Sequence, residues 1–180
     1  MAYGLPEDFQ ALMTVLEEAL VAYLCRQVEA GAEVLQLFDS WSGIADETLF
    51  KRWIIEPTAR IVARVKEAHP TVPIIGFPRG AGPMVAAYAA ETGVDGMSVD
   101  SQIPLSWARQ NVAGNFVLQG NLDNQLLVTG GEEMDRAVER IVRDMQGHPF
   151  VFNLGHGILP HTPREHVGRV LDVLRGKAKG

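Results

Sequence analysis

Apolar positions along the chain alternate between a helical period and short continuous runs. Over residues 8–30, Leu12, Leu16, Leu20, Tyr23, Leu24 and Val28 recur three or four apart, the stripe of an amphipathic helix. Gly31 follows as a C-cap. The run at 34–38 is too short for a helix and reads as a buried strand. The same unit then repeats. Residues 46–68 predict a helix with Asp46 as N-cap and Glu47 in its first turn, where the helix dipole favours an acid. Pro70 and Pro73 stop it, and 74–77 is the next strand. A helix over 83–91 ends at Gly93, and strands follow at 96–99, 116–118 and 150–152. Between and after them lie helices at 105–110, 132–145 and 163–174. The second of these carries Val138, Ile141, Val142 and Met145 on one face, and Pro163 sits at the start of the third.

Strands alternating with helices imply an α/β fold with parallel pairing through right-handed crossovers. An open doubly wound sheet and a (β/α)8 barrel both fit that alternation. Strand starts recur about every 29 residues, so eight units need roughly 230, close to the ~250 of the barrel. Five strands in 180 residues therefore make this chain part of such a barrel, a partial TIM-type fold read as one domain over 1–180.

Composition narrows the class. An apolar fraction of 47% with 21% charged residues supports a packed core and excludes disorder. No apolar run approaches the ~20 residues of a membrane span, and the first eight residues do not resemble a secretory signal. A net charge of −6 argues against a nucleic-acid surface. The single cysteine, Cys25, excludes an internal disulfide and multi-cysteine metal sites, and its place in a long helix predicts a core residue. A cytoplasmic protein without metal or cofactor is expected.

In parallel α/β proteins the working residues lie just past the C-terminal ends of strands. Here those places hold Asp39 and Ser40, then Arg79 to Gly82, then Asp100, then Gln119 to Asp123, then Asn153 to Gly157. Any one of these could merely cap a helix or shape a turn; five in succession point to a site. His156 is the sharpest of them, because Gly155 and Gly157 let the backbone present its ring without crowding. His161 and His166 follow at regular spacing but lack the carboxylate or thiolate partners of a zinc site. The glycines between 76 and 82 match neither a P-loop nor a dinucleotide fingerprint, and Arg79 supplies one positive charge at the rim. Ser40 lies outside any Gly-x-Ser-x-Gly elbow, so it is not a hydrolase nucleophile.

Four segments carry a family resemblance. Residues 31–43, reading GAEVLQLFDSWSG, resemble the "GA-x-x-x-Q-x-FDSWAG" segment of uroporphyrinogen decarboxylases. QGNLD at 119–123 is similar to their "QGNLDP", and FNLGHGILP at 152–160 to the same string there, followed by the "TPPE-x-V"-like 162–167. Ser101 and Asn124 differ, since the family usually has tryptophan and proline at those places. The resemblance extends from about residue 5 to 174 and covers the C-terminal half of the family's barrel. The family's arginine-rich segment and catalytic aspartate belong to the other half. The resemblance implies a cofactor-free barrel, usually a homodimer, that converts the acetate side chains of uroporphyrinogen to methyl groups in porphyrin and haem biosynthesis. By position, Ser40 and His156 then contact substrate and Phe38 packs against the macrocycle. Asp39, Arg79, Asp100, Asn121 and Asn153 support the site from behind. Two rivals remain: a non-catalytic fragment or subunit of such an enzyme, and a corrinoid-linked methyltransferase. The latter would need zinc held by more than one cysteine.

Overall fold

The computed structural model describes residues 1–112 and 116–176. Its elements, in chain order, are α1 (Pro6–Glu29), β1 (Leu35–Asp39), α2 (Glu47–Phe50), α3 (Glu56–Ala68), β2 (Ile74–Pro78), α4 (Val85–Thr92) and β3 (Gly96–Ser98). There follow α5 (Leu105–Asn111), β4 (Val117–Leu122), α6 (Asn124–Thr129), α7 (Gly131–Asp144), β5 (Phe150–Leu154) and α8 (Arg164–Leu174). This is the α/β alternation of five strands and intervening helices that the hydrophobic periods predict. The chain divides into two compact units, Met1–Gly96 and Met97–Gly180.

In the first unit β1 and β2 run parallel, with Leu35 opposite Ile74 and Asp39 opposite Pro78. Asp46 caps α2 as expected, its Oδ1 accepting the Leu49 N–H at 2.8 Å, and its carboxylate also accepts the Tyr3 hydroxyl. The predicted 46–68 helix is interrupted by a π-helical turn over Lys51–Ile55. Pro57, in the first turn of α3, has no N–H to offer the carbonyl four residues back, so the ladder resets there. The resumed helix buries Pro57, Ile61, Val62 and Val65.

The face of α1 differs from the predicted stripe. Leu12, Leu16, Leu20 and Tyr23 are exposed, while Glu17, Val21 and Leu24 are buried. Two bidentate ion pairs set this rotation. Arg60 of α3 donates to both Glu17 oxygens at 2.7 and 2.8 Å, and Arg64 donates to both Glu18 oxygens at 2.7 and 2.8 Å. An Arg–carboxylate fork fixes orientation as well as distance, and here it holds the acidic line of α1 against α3. The Phe9 ring meets Trp53 edge-on at 4.7 Å on the same side. Cys25, expected in the core, is only half-buried beside Leu24.

In the second unit β4 and β5 run parallel, Leu118 opposite Phe150 and Leu122 opposite Leu154. β4 continues to Leu122, four residues past the predicted strand. α6 was not predicted; it is one short run capped by Asp123, whose Oδ1 accepts the Gln125 N–H at 2.9 Å. The buried face of α7 is Met134, Ala137, Val138 and Ile141, followed by Met145, whereas Val142 is 47% exposed. Arg169 reaches from α8 to Asp135 of α7 with donors at 2.7 and 3.0 Å, and Arg109 of α5 donates to the Asp144 carbonyl at 2.7 Å. Val138, Ile141 and Met145 of the predicted face are buried, and Val142 alone of the four is exposed.

Candidate functional site

Each unit places its polar loops just beyond the C-terminal ends of its strands. In the first, Phe38 is the penultimate residue of β1, with its ring 68% exposed and edge-on to Phe77 at 6.0 Å. The ring is open on one side and backed on the other by the buried Phe77. Asp39 ends the strand and turns its carboxylate back on the loop, accepting the Trp41 N–H at 3.2 Å. Burial holds this carboxyl above the usual aspartate range, against the opposing pull of the Trp41 and Ser42 amides.

Ser40 follows, half-buried. Its carbonyl accepts from Arg79 Nη1 at 3.4 Å. Arg79 also supports the loop through its backbone: its N–H donates to the Asp39 carbonyl at 3.0 Å, and its own carbonyl accepts from Gly43 N–H at 3.1 Å. Ser42 completes the tie, its buried hydroxyl donating to the Arg79 carbonyl at 2.8 Å. Gly43 permits the close approach, since a Cβ there would lie 2.5 Å from the Gly80 carbonyl oxygen. Ser42 was not singled out from the sequence; a small hydroxyl residue between a strand end and a Gly was the available signal. Below the loop, Tyr88 is fully buried, and burial pushes its hydroxyl pKa up to about 12. Gly76 of β2 makes room for that ring, where any side chain would collide with it.

In the second unit Asp100 is buried, and its Oδ1 accepts the Gln102 N–H at 2.9 Å. Asn121 at the end of β4 spans the neighbouring loop, donating from Nδ2 to the Asp100 carbonyl at 3.2 Å and the Ile103 carbonyl at 2.7 Å. Asn121 also borders an open cleft of about 420 Å³ behind the loops, with Ser101, Leu105, Leu126 and Arg140. Asn153 is opposite Asn121 in the strand register. Its exposed side chain closes onto its own backbone, accepting the Leu154 N–H at 2.8 Å. It therefore shapes the exit of β5 and does not join Asn121.

His156 follows that exit, half-buried between its glycines. Gly155 is buried with its Cα against Ser101, where a side chain would meet the Ser101 amide. Its N–H donates to the Leu122 carbonyl at 2.7 Å. Among the described residues the Ser40 hydroxyl and the His156 ring make no side-chain hydrogen bond. Both are half-buried polar groups just past strand ends. His166 differs: its Nδ1 lies 2.8 Å from the Leu127 carbonyl and its ring covers Gly130. It is a packing residue, while His161 lies exposed. No group of three or more potential metal-ligating side chains occurs among the described residues.

This is an α/β chain of the barrel type in which each unit carries polar side chains just past the C-terminal ends of its strands. The uroporphyrinogen decarboxylase (URO-D) family model matches residues 1–176, and the chain belongs to that family. It is 50% identical over 174 residues to the uroporphyrinogen decarboxylase of Rhodospirillum rubrum, covering 96% of this chain and 50% of that protein. It is likewise 50% identical over 174 residues to the uroporphyrinogen decarboxylase of Granulibacter bethesdensis, covering 97% of this chain and 51% of that one. The chain thus spans about half the length of these relatives. Among solved structures, a methyltransferase from Methanosarcina mazei superposes with a TM-score of 0.77 at 21% identity, covering 89% of this chain and 47% of that one. That likeness carries the fold alone.

Proposed function

We propose that this chain, as the C-terminal portion of a decarboxylase-type barrel, supplies one part of the tetrapyrrole site of a uroporphyrinogen decarboxylase. The observation that supports it most directly is the pair of uncommitted polar groups, Ser40 and His156, at strand ends of a chain belonging to this family. The reaction removes each acetate carboxylate of uroporphyrinogen as carbon dioxide. A proton takes its place on the same carbon, so that coproporphyrinogen with four methyl groups results. The pyrrole ring serves as the electron sink once one of its ring carbons is protonated, so the chemistry asks for no metal and no organic cofactor. What it asks of a protein is orientation of an anionic macrocycle and a preorganised polar environment.

In this reading Phe38 packs against the macrocycle, Ser40 hydrogen-bonds to it, and His156 donates to a substrate carboxylate. Asp39 and Arg79 hold the Ser40 loop, and Asp100, Asn121 and Asn153 hold the loops around β4 and β5. The group that stabilises the protonated ring and the arginines that clamp carboxylates come from the portion of the family's length that this chain does not span. We assign the working form to the cytoplasm as a homodimer; no helix among the described residues is long and apolar enough to cross a membrane. The net charge of −6 argues against a nucleic-acid partner.

The experiment joins this chain to the part of the Rhodospirillum rubrum relative that it does not cover, and follows coproporphyrinogen formation from uroporphyrinogen. Turnover is expected. His156→Asn in that protein should cost roughly 10- to 100-fold in kcat/KM, the loss of about one charge-assisted hydrogen bond, with the fold intact. A folded fusion without turnover overturns the assignment of activity. Wild-type kinetics in the His156→Asn variant overturn the role of that residue.

A further inference from the structure

The loop that presents His156 is fastened on both sides to one short stretch, 122–124, where β4 passes into α6. Before the histidine, the Gly155 N–H donates to the Leu122 carbonyl at 2.7 Å. After it, the Asn124 side chain donates from Nδ2 to the Gly157 carbonyl at 2.8 Å. The first bond joins backbone to backbone, so it survives any change of side chain. The second depends on one amide. We propose that Asn124 is a positioning residue for His156, fixing the loop that carries the imidazole; the inference rests on the reading of His156 as a substrate contact.

Three features isolate this role. Gly157 is exposed, and nothing lies within 4 Å of where its Cβ would be, so no packing holds it in place. Two glycines flank a single residue, and glycine loses more conformational freedom on ordering than any other residue, so an unfastened loop would sample many conformations. Asn124 itself is held, because it is the first residue of α6, directly after the capping Asp123. The tether runs from α6 to the loop through one side chain, Asn124, whose amide donates to the Gly157 carbonyl.

The test separates the tether from the helix it stands on. Asn124→Asp is nearly isosteric, replaces the donor with an acceptor, and places a favourable charge in the first turn of α6. Asn124→Ala removes the side chain. Backbone 15N relaxation of Gly155 to Gly157 in the fusion used above should show order falling at Gly157 and His156 in both variants. The melting temperature of Asn124→Asp should be unchanged or raised. In the fusion used above, both variants should raise KM about three- to tenfold with a smaller effect on kcat, as a misplaced contact does. Unchanged relaxation at His156 and Gly157 in both variants overturns the proposal. Loss of loop order together with a fusion that never turns over would uphold the tether and overturn the functional reading on which it was placed.

Discussion

Asp39 shows how a single residue can carry both loop geometry and a pH signature. Its carboxyl sits above the usual range because burial disfavours the charged form more than the Trp41 and Ser42 amides favour it. The folded chain therefore holds that proton more tightly than the unfolded one. Its contribution to stability is full below the ordinary carboxylate range and is lost as the pH rises through the raised value. Asp39→Asn keeps an acceptor for the Trp41 N–H and cannot ionise. It should be at least as stable as the parent at neutral pH, with the difference closing towards about pH 3. Denaturation midpoints across that range decide it: a parent that gains on the variant as the pH rises would refute the burial argument. Gly155 offers a harsher case. Any side chain there runs into the Ser101 amide, which is backbone and cannot swing away. Gly155→Ala should cost about 1–3 kcal/mol and displace the His156 loop, read as a lower melting temperature together with lost binding. The strand-end Asp, Ser, Asn and His were legible from the sequence because their positions follow from the alternation of elements. Their partners were not, since the Asn121 bridge and the Asn124 tether join residues 18 and 33 positions apart in the chain.

At the scale of elements, hydrophobic period identified nearly every helix and strand but misjudged which side of α1 turns inward and one position of α7. In α1 two apolar lines lie close around the helix, and the Arg60 and Arg64 forks select between them. A periodicity argument weighs apolar residues alone, so an ion pair that orients a helix is invisible to it. In α7 the difference is one position: Val142 was placed on the inner face and lies outside, whereas Met134 and Ala137 lie inside. This makes a direct comparison. Met134 is 0% exposed, so Met134→Ala removes buried methylenes and leaves a cavity, and should cost about 2–5 kcal/mol. Val142→Ala should stay within about 0.5 kcal/mol, as surface substitutions do. Equal losses at the two positions, measured by denaturant titration, would mean that the face of α7 has been assigned wrongly. The missed α6 has a different cause: six residues are too few to show a helical period, and its start is announced only by the Asp123 cap.

For the whole molecule the question is what five strands can do by themselves. The barrel to which this family's fold belongs closes with eight, and closure removes sheet edges. A strand left at an edge offers unpaired N–H and C=O groups to any other chain. The first unit adds an apolar surface of its own, with Leu12, Leu16, Leu20 and Tyr23 exposed along α1 and Trp41 and Ile44 exposed beyond β1. Large exposed apolar patches are rare on monomeric proteins, and the α1 stripe recurs at helical spacing on one face. From both features the 180-residue chain, purified by itself, should associate in solution and bind a dye that reports exposed apolar surface. On the proposed division of the site it should also fail to turn over uroporphyrinogen, because Ser40 and His156 can hold a substrate but neither stabilises a protonated pyrrole. The fusion to the uncovered part of the Rhodospirillum rubrum relative should reverse all three properties together: reduced dye binding, a defined oligomer and turnover. Sedimentation velocity, dye fluorescence and coproporphyrinogen formation measured on both proteins provide the check. A clean monomer with no dye binding would show that the exposed surfaces are tolerated, and turnover by the chain alone would place a complete catalytic site within these 180 residues and overturn the proposed division.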